Sequence, residues 1–261
     1  MSRILSALVL LPIVLGTIWF LPPAATLVLA EIALVLAFVE YADLAAHLDA
    51  AFPRVVPGAA AMACCAALGW WHAPTEAVLL ATLVAVAAAA VGAGRVGPHA
   101  LGGVSAALFA PVYLGLPLGA FVAVRTFHGR EAVVLLMVTI MASDTAQYYG
   151  GRAFGRRLLA PAISPKKTVE GAVAGLIAGP IVMALVGRLW LPAVGAPTLA
   201  LLGATLAALG MVGDLFESLL KRSAGVKDSS GLIPGHGGLL DRIDSWLFAA
   251  PAYYVFLRYA L

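Results

Sequence analysis

Charge is scarce in this chain. Lysine, arginine, aspartate and glutamate together make up 11 % of its 261 residues, less than half of the roughly 25 % usual in soluble domains. With 62 % hydrophobic residues and a mean hydropathy of +1.00, there is too little polar surface to cover a globule in water, so the surrounding solvent is lipid. Cysteine is scarcer still. Cys64 and Cys65 are neighbours inside an apolar run, which excludes a disulfide framework and leaves them as small core residues. No GxxxxGK[ST] stretch occurs, so phosphate binding of the P-loop type is excluded. A net charge of +3, with no basic cluster interleaved with aromatics, offers no polynucleotide surface, and no nucleic-acid partner is expected.

What the chain does have is long apolar runs. A helix needs about 20 apolar residues to cross a bilayer. Hydropathy together with Pro, Gly and charge punctuation predicts nine spans, at about 4–21, 24–42, 55–71, 76–93, 99–121, 131–151, 169–190, 196–213 and 245–261. The first is read as a retained span, because the Leu21-Pro-Pro-Ala-Ala that follows is a poor cleavage site and equally apolar segments come after it. The expected fold is therefore all-α: a polytopic integral-membrane protein, with N-terminal scaffold helices over 1–130 and a catalytic region over 131–261. With the N-terminus inside, 12 of the 16 basic residues fall on inner loops, and the positive-inside bias favours that orientation.

The remaining charge is concentrated. Between Asp144 and Asp244 lie 7 of the 13 acidic and 10 of the 16 basic residues, which places a polar, cytosol-facing cavity in the C-terminal half. In Gly213–Arg222, "GDLFESLLKR", a helix would align Asp214, Glu217, Ser218 and Lys221 at i, i+3, i+4 and i+7 on one face. Acids within a membrane are functional candidates by default, although an internal pair of Asp214 or Glu217 with Lys221 would also account for them. Asp144 ends an apolar span in "SDTAQYYGGRAFGRR", with Gln147 and Tyr148 following. In "KDSSGLIPGHGGLLDRIDSW", glycines expose backbone amides that could wrap an anion, and Asp241, Asp244 and Ser245 then open the last span. Helix capping is the alternative role for Asp244.

Oxygen donors without thiolates or paired histidines favour magnesium over zinc. Carboxylates, a glycine loop and several cations together describe a polyphosphate site. His236 is either a general base or a hydrogen-bond donor to phosphate. In Ser164–Gly171, "SPKKTVEG", Pro165 would fix the entry of a helix capped by Thr168, and Lys166 and Lys167 would meet either anionic lipid or nucleotide phosphate.

The 27 residues from Ser218 to Asp244, "SLLKRSAGVKDSSGLIPGHGGLLDRID", resemble the signature of the phosphatidate cytidylyltransferase (CDP-diacylglycerol synthase) family. The Asp144 and Lys166 stretches and "FVEYADL", residues 38–44, resemble further parts of it. The resemblance implies an enzyme of phospholipid biosynthesis in a cytoplasmic or inner membrane, its active site facing the cytoplasm. It would transfer CMP from CTP to phosphatidic acid, giving CDP-diacylglycerol and pyrophosphate, with magnesium, a second metal ion left open, and a homodimeric assembly. Asp214, Asp241 and Asp144 are implied as metal ligands. Asp214, Lys221, Asp241, Asp244 and His236 are the catalytic candidates. Ser218, Arg222, Lys227, Asp228, Gly237, Gly238, Arg242, Lys166, Lys167 and Gln147 are the substrate-binding ones. Two rivals are a CTP-dependent polyprenol kinase and a secondary transporter, the latter expected to carry paired charges at mid-span in two related halves.

Overall fold

The structure, a computed structural model, describes residues 2–71, 73–94, 96–232 and 237–260. Among these lie nine α-helices: α1 (Ser2–Phe20), α2 (Pro23–His47), α3 (Val55–Ala66), α4 (Thr75–Ala93), α5 (Ala100–Ala110), α6 (Leu116–Phe154), α7 (Val169–Trp190), α8 (Ala196–Ser223) and α9 (Leu240–Ala260). Five helical stretches are long and apolar enough to cross a bilayer: Pro23–His47, Thr75–Ala93, Ala100–Phe154, Val169–Trp190 and Ala196–Ser223. On α4, Leu80, Val84 and Val91 are well over half exposed, an arrangement that lipid stabilises and water does not. The protein is an all-α, multi-pass membrane protein. Among the described residues, the departure from pure helix is a small antiparallel hairpin of β1 (Leu158–Ala160) and β2 (Ser164–Thr168).

The chain forms two compact units. The first comprises residues 1–127 and 220–243, the second residues 128–219 and 244–261. The segment 220–243, from the C-terminal half of the sequence, thus groups with the N-terminal helices. In the first unit, Leu34, Ala37 and Phe38 of α2, Ala61 and Cys65 of α3, and Leu114, Val122 and Val124 are buried. Cys64 and Cys65 are core residues at 1 % and 0 % exposure, as their apolar context requires. Tyr41 donates to the Ala106 carbonyl at 2.9 Å and clusters with Phe109 and Tyr113, which fixes the C-terminal part of α2.

Within α6 the helical path is broken at Gly129, where φ is 90° and ψ 175°. A side chain there would be strained, so only glycine takes this conformation cheaply. The spans expected at 99–121 and 131–151 fall on either side of this break.

In the second unit, packing depends on small residues. Gly171, Gly175 and Gly179 recur every fourth residue on α7 and are buried, the spacing that lets two helix backbones approach closely in lipid. A methyl on Gly171 would stand 2.6 Å from the Gln147 carbonyl oxygen, and one on Gly179 would meet the Gly203 carbonyl oxygen at 3.0 Å. α7 is thereby seated against both α6 and α8. Thr168 caps α7 as expected: its hydroxyl accepts from the Gly171 amide at 3.1 Å. The residues ahead of it are extended, however, because Ser164–Thr168 pairs with β1 and the helix begins only at Val169. Glu170 holds the hairpin by accepting from the Arg156 and Arg157 amides at 2.9 and 3.2 Å.

Two alanine substitutions test this packing with opposite signs. Ala gains up to about 1 kcal/mol over Gly inside a helix, but at Gly171 the facing atom is rigid backbone and overpacking costs about 1–3 kcal/mol. Gly171→Ala is therefore expected to lower the unfolding midpoint in detergent. Gly16→Ala on α1, where nothing lies within 4 Å, is expected to hold or raise it.

Candidate active site

The residues singled out in the sequence fall into two polar clusters, one in each unit. In the second unit, α6 supplies Asp144, α8 supplies Asp214, and the first turns of α9 supply Asp244. These three carboxylates and Lys167 lie within electrostatic range of one another. Lys167 of β2 forms an ion pair with Asp214 Oδ2 at 2.6 Å. Gln147 donates to Asp144 Oδ1 at 3.0 Å and to Ser143 Oγ at 3.3 Å, and Ser143 donates to the Gly175 carbonyl. Ser218 donates to Asp214 Oδ1 at 3.5 Å, and Asp244 Oδ1 accepts from the Ser245 amide at 2.7 Å. Close helix packing places this cluster, since a methyl on Gly213 would run into the Asp244 carbonyl.

Among the described residues, three carboxylates face one ammonium, an excess of negative charge that a cation relieves. Among the described residues no group of three or more His, Cys, Asp or Glu side chains forms a ready metal cage. Magnesium needs less than a cage, because it is held by one or two carboxylates while it keeps waters and shares substrate phosphates. The hard oxygens of Asp144, Asp214 and Asp244 fit that requirement.

The cluster in the first unit is saturated. Asp241, its side chain 5 % exposed, is ion-paired through Oδ1 with Lys221. Its Oδ2 accepts from the Ser229 amide at 3.1 Å, the Ser229 hydroxyl at 3.0 Å and the Gly238 amide at 2.7 Å. Gly237 is left-handed, with φ 83°, and a side chain there would press on Asp241 Oδ2. Arg222, Lys227, Asp228 and Arg242 are exposed, Arg222 donating to the Val226 carbonyl at 3.3 Å. Lys166 is exposed on β2 in the second unit. His236, with Pro234 and Gly235, lies outside the described residues.

Two pairings differ from the alternatives open at the sequence level. Among the described residues Lys221 pairs with Asp241, and Asp214 pairs with Lys167. The capping role considered for Asp244 is filled by Glu40 of α2, which no local spacing pointed to. Glu40, 3 % exposed, accepts from the Leu239 and Leu240 amides at 2.9 and 2.8 Å, the Ser229 hydroxyl at 2.9 Å and the Ser230 hydroxyl at 2.6 Å. An acid in the apolar run "FVEYADL" is the signal that would have found it.

These features define a membrane-embedded protein with a carboxylate-rich, cation-lined polar region. The model of the Cytidylyltransferase family matches residues 1–260, and the chain belongs to that family. It is similar to the phosphatidate cytidylyltransferase of Pseudomonas aeruginosa, at 38 % identity over 97 % of this chain and 94 % of the relative. A phosphatidate cytidylyltransferase of Bacillus subtilis is 39 % identical over 57 % of this chain and 56 % of its own length. Phosphatidate cytidylyltransferase 5, chloroplastic, of Arabidopsis thaliana is 48 % identical over 50 % of this chain and 32 % of its own length.

Removing the partner of a buried charge is expensive, at about 3–5 kcal/mol. Lys221→Ala, which strips Oδ1 of Asp241, is therefore expected to destabilise the protein measurably in denaturant titrations in micelles. Lys227→Ala, at an exposed position, is expected to stay within about 0.5 kcal/mol of the parent.

Proposed function

We propose that this protein is a phosphatidate cytidylyltransferase, transferring CMP from CTP to phosphatidic acid to give CDP-diacylglycerol and pyrophosphate in phospholipid biosynthesis. The observation that carries the reading is the near full-length similarity to the Pseudomonas aeruginosa enzyme, with the polar residues of the two clusters falling on the signature stretches. A phosphate oxygen of the lipid attacks the α-phosphorus of CTP, the bond from that phosphorus to the bridging oxygen of the β-phosphate breaks, and pyrophosphate leaves with the electron pair. A lipid phosphate is largely ionised near neutral pH, so the nucleophile needs no strong base. In this reading His236 serves the phosphates as a hydrogen-bond donor as readily as it serves a proton transfer.

Two anionic reactants repel each other, so neutralisation and alignment are the main tasks of the protein. Lys221, Arg222, Lys227 and Arg242 supply positive charge for phosphate, with Lys166 and Lys167 from the hairpin. Gly237 contributes its backbone amide and Gly238, whose own amide serves Asp241, lets the backbone approach closely, while Ser218, Gln147 and Asp228 orient polar groups. Magnesium, when bound, would supply charge neutralisation at the triphosphate, held by Asp144 and Asp214 with Asp244 beside them. Asp241 would serve as a metal ligand on one condition: its Oδ1 must exchange Lys221 for the metal, since Oδ2 already accepts three hydrogen bonds.

We further infer about nine crossings: the long Ala100–Phe154 stretch counts as two, one on either side of the break at Gly129, and the shorter apolar helices Leu11–Phe20 and Val55–Trp71 with the more polar α9 complete the other four long spans. The signature loops lie on the cytoplasmic side of a cytoplasmic or inner membrane, and the protein assembles as a homodimer. The orientation is supported by the 12 basic residues on loops of one side and by CTP being an intracellular substrate.

Purified protein supplied with CTP, phosphatidic acid and magnesium is expected to release pyrophosphate and a CDP-lipid. Formation of CDP and a phosphorylated polyprenol would instead establish the kinase reading. Chelation of divalent cations is expected to stop turnover, and magnesium to restore it. Asp214→Asn, which keeps size and removes charge, is expected to reduce turnover by about 10²-fold or more, the scale of losing one group that stabilises transition-state charge. Near-normal turnover in that variant would overturn the metal assignment.

A further inference from the structure

We propose that Glu40 is a positioning residue for the transfer reaction, acting without touching substrate by holding the segment that orients Asp241. The proposal rests on the functional reading above and goes beyond the signature residues, because Glu40 lies in the N-terminal half of the chain, 189 positions before the serine it holds. All the groups concerned belong to the first unit.

The contacts divide evenly between the two carboxylate oxygens. Oε1 accepts from the Ser230 hydroxyl and the Leu239 amide, and Oε2 from the Ser229 hydroxyl and the Leu240 amide. The two amides belong to the start of α9, where unpaired N–H groups point along the axis and a carboxylate is favoured. The two hydroxyls belong to the loop following α8. One side chain on α2 therefore joins Ser229 and Ser230 to Leu239 and Leu240.

Asp241 depends on the same stretch. Of the three donors on its Oδ2, two come from Ser229, and the third is the amide of Gly238, next to Leu239. The Ser229 hydroxyl lies within 3.0 Å of both Glu40 and Asp241, and its single proton serves the two carboxylates as a three-centre contact. Displacing Ser229 therefore displaces Asp241 and the ammonium of Lys221 paired with it. Space is equally tight: a methyl on Gly238 would collide with Glu40 Oε2 and with Ser229 Oγ. A carboxylate at 3 % exposure with four donors from two distant segments sets geometry, since a group needed only for helix capping would leave the serine hydroxyls uninvolved.

The test uses the full-length protein in lipid-containing micelles, with steady-state kinetics against CTP and phosphatidic acid. Misplacing reacting groups by about 1 Å can cost about 10²-fold, and Glu40→Ala is expected to lower kcat/KM for CTP on that scale. Glu40→Gln keeps a carbonyl acceptor for the amides, and its loss is expected to be smaller. The variant Ser229→Ala with Ser230→Ala removes the hydroxyl arms without touching Glu40. It is expected to reproduce part of the kinetic change, and combined with Glu40→Gln to give a loss smaller than the product of the two, as coupled groups do. Hydrogen exchange supplies a readout independent of activity: amides of 226–232 and 237–241 are expected to exchange faster in Glu40→Gln while those of α4 are unchanged.

Parent-like kcat and KM in folded Glu40→Gln, or fully multiplicative losses with the serine variant, would overturn the proposal. So would a lowered unfolding midpoint with unaltered kinetics of the folded fraction. Absence of CTP turnover in the parent protein would count against the cytidylyltransferase reading alone. In that case the exchange pattern still decides whether Glu40 organises the segment.

Discussion

A carboxylate kept out of water calls for donors or a counter-charge, because an isolated charge in a low-dielectric surround costs far more than a native fold can absorb. Two solutions coexist. Glu40 and Asp241 are saturated: four donors surround the first, and three donors plus an ammonium surround the second. Asp144, Asp214 and Asp244 share a single lysine and a few hydrogen bonds. The saturated acids hold in place a loop that has little apolar surface of its own to bury. The under-compensated acids hold unspent negative charge, and that is the property a divalent cation with its attendant phosphates would complement.

Such an arrangement requires helices to approach closely where their polar side chains meet. In lipid no hydrophobic force drives helices together, so contact depends on packing and on small residues that admit it. The α7 glycines seat that helix against the carbonyl of Gln147 and the backbone at Gly203, and Gly213 admits the carbonyl of Asp244. The same glycines that shape the packing thus bring the acids of α6, α8 and α9 into electrostatic range. Bulky residues at these positions would separate the carboxylates before they altered the helices themselves.

What could be read from the sequence follows the range of the interactions involved. The apolar runs of α2, α4, α7 and α8 and the Thr168 cap are local, and they appear where the pattern puts them. Buried Cys64 and Cys65 follow from their neighbours. The pairing of Lys221 with Asp241 did not follow from spacing: helical periodicity points only to acids of its own helix, Asp214 or Glu217, and Asp241 lies 20 residues on, across the loop. The extended start of Ser164–Thr168 was hidden because Pro165 suits a helix entry and a strand edge alike, and only pairing with Leu158–Ala160 decides between them. Glu40 was the least accessible of all. Its donors lie 189–200 residues away, a separation that no periodicity or motif spacing encodes.

This contrast bears on how a membrane enzyme can treat a water-borne nucleotide and a bilayer-borne phosphate. A site built on a flexible polar loop would have to order that loop whenever substrate arrived, and the ordering entropy would subtract from affinity. Anchoring the loop on a buried carboxylate of a transmembrane helix moves that ordering into the folding of the protein. Lys227 of the loop stays exposed, while the serines, the Gly238 amide and the amides at the start of α9 are committed to Glu40 and Asp241. Division of the loop into committed and exposed groups reconciles a glycine-rich, charged segment with a chain that is otherwise almost entirely apolar.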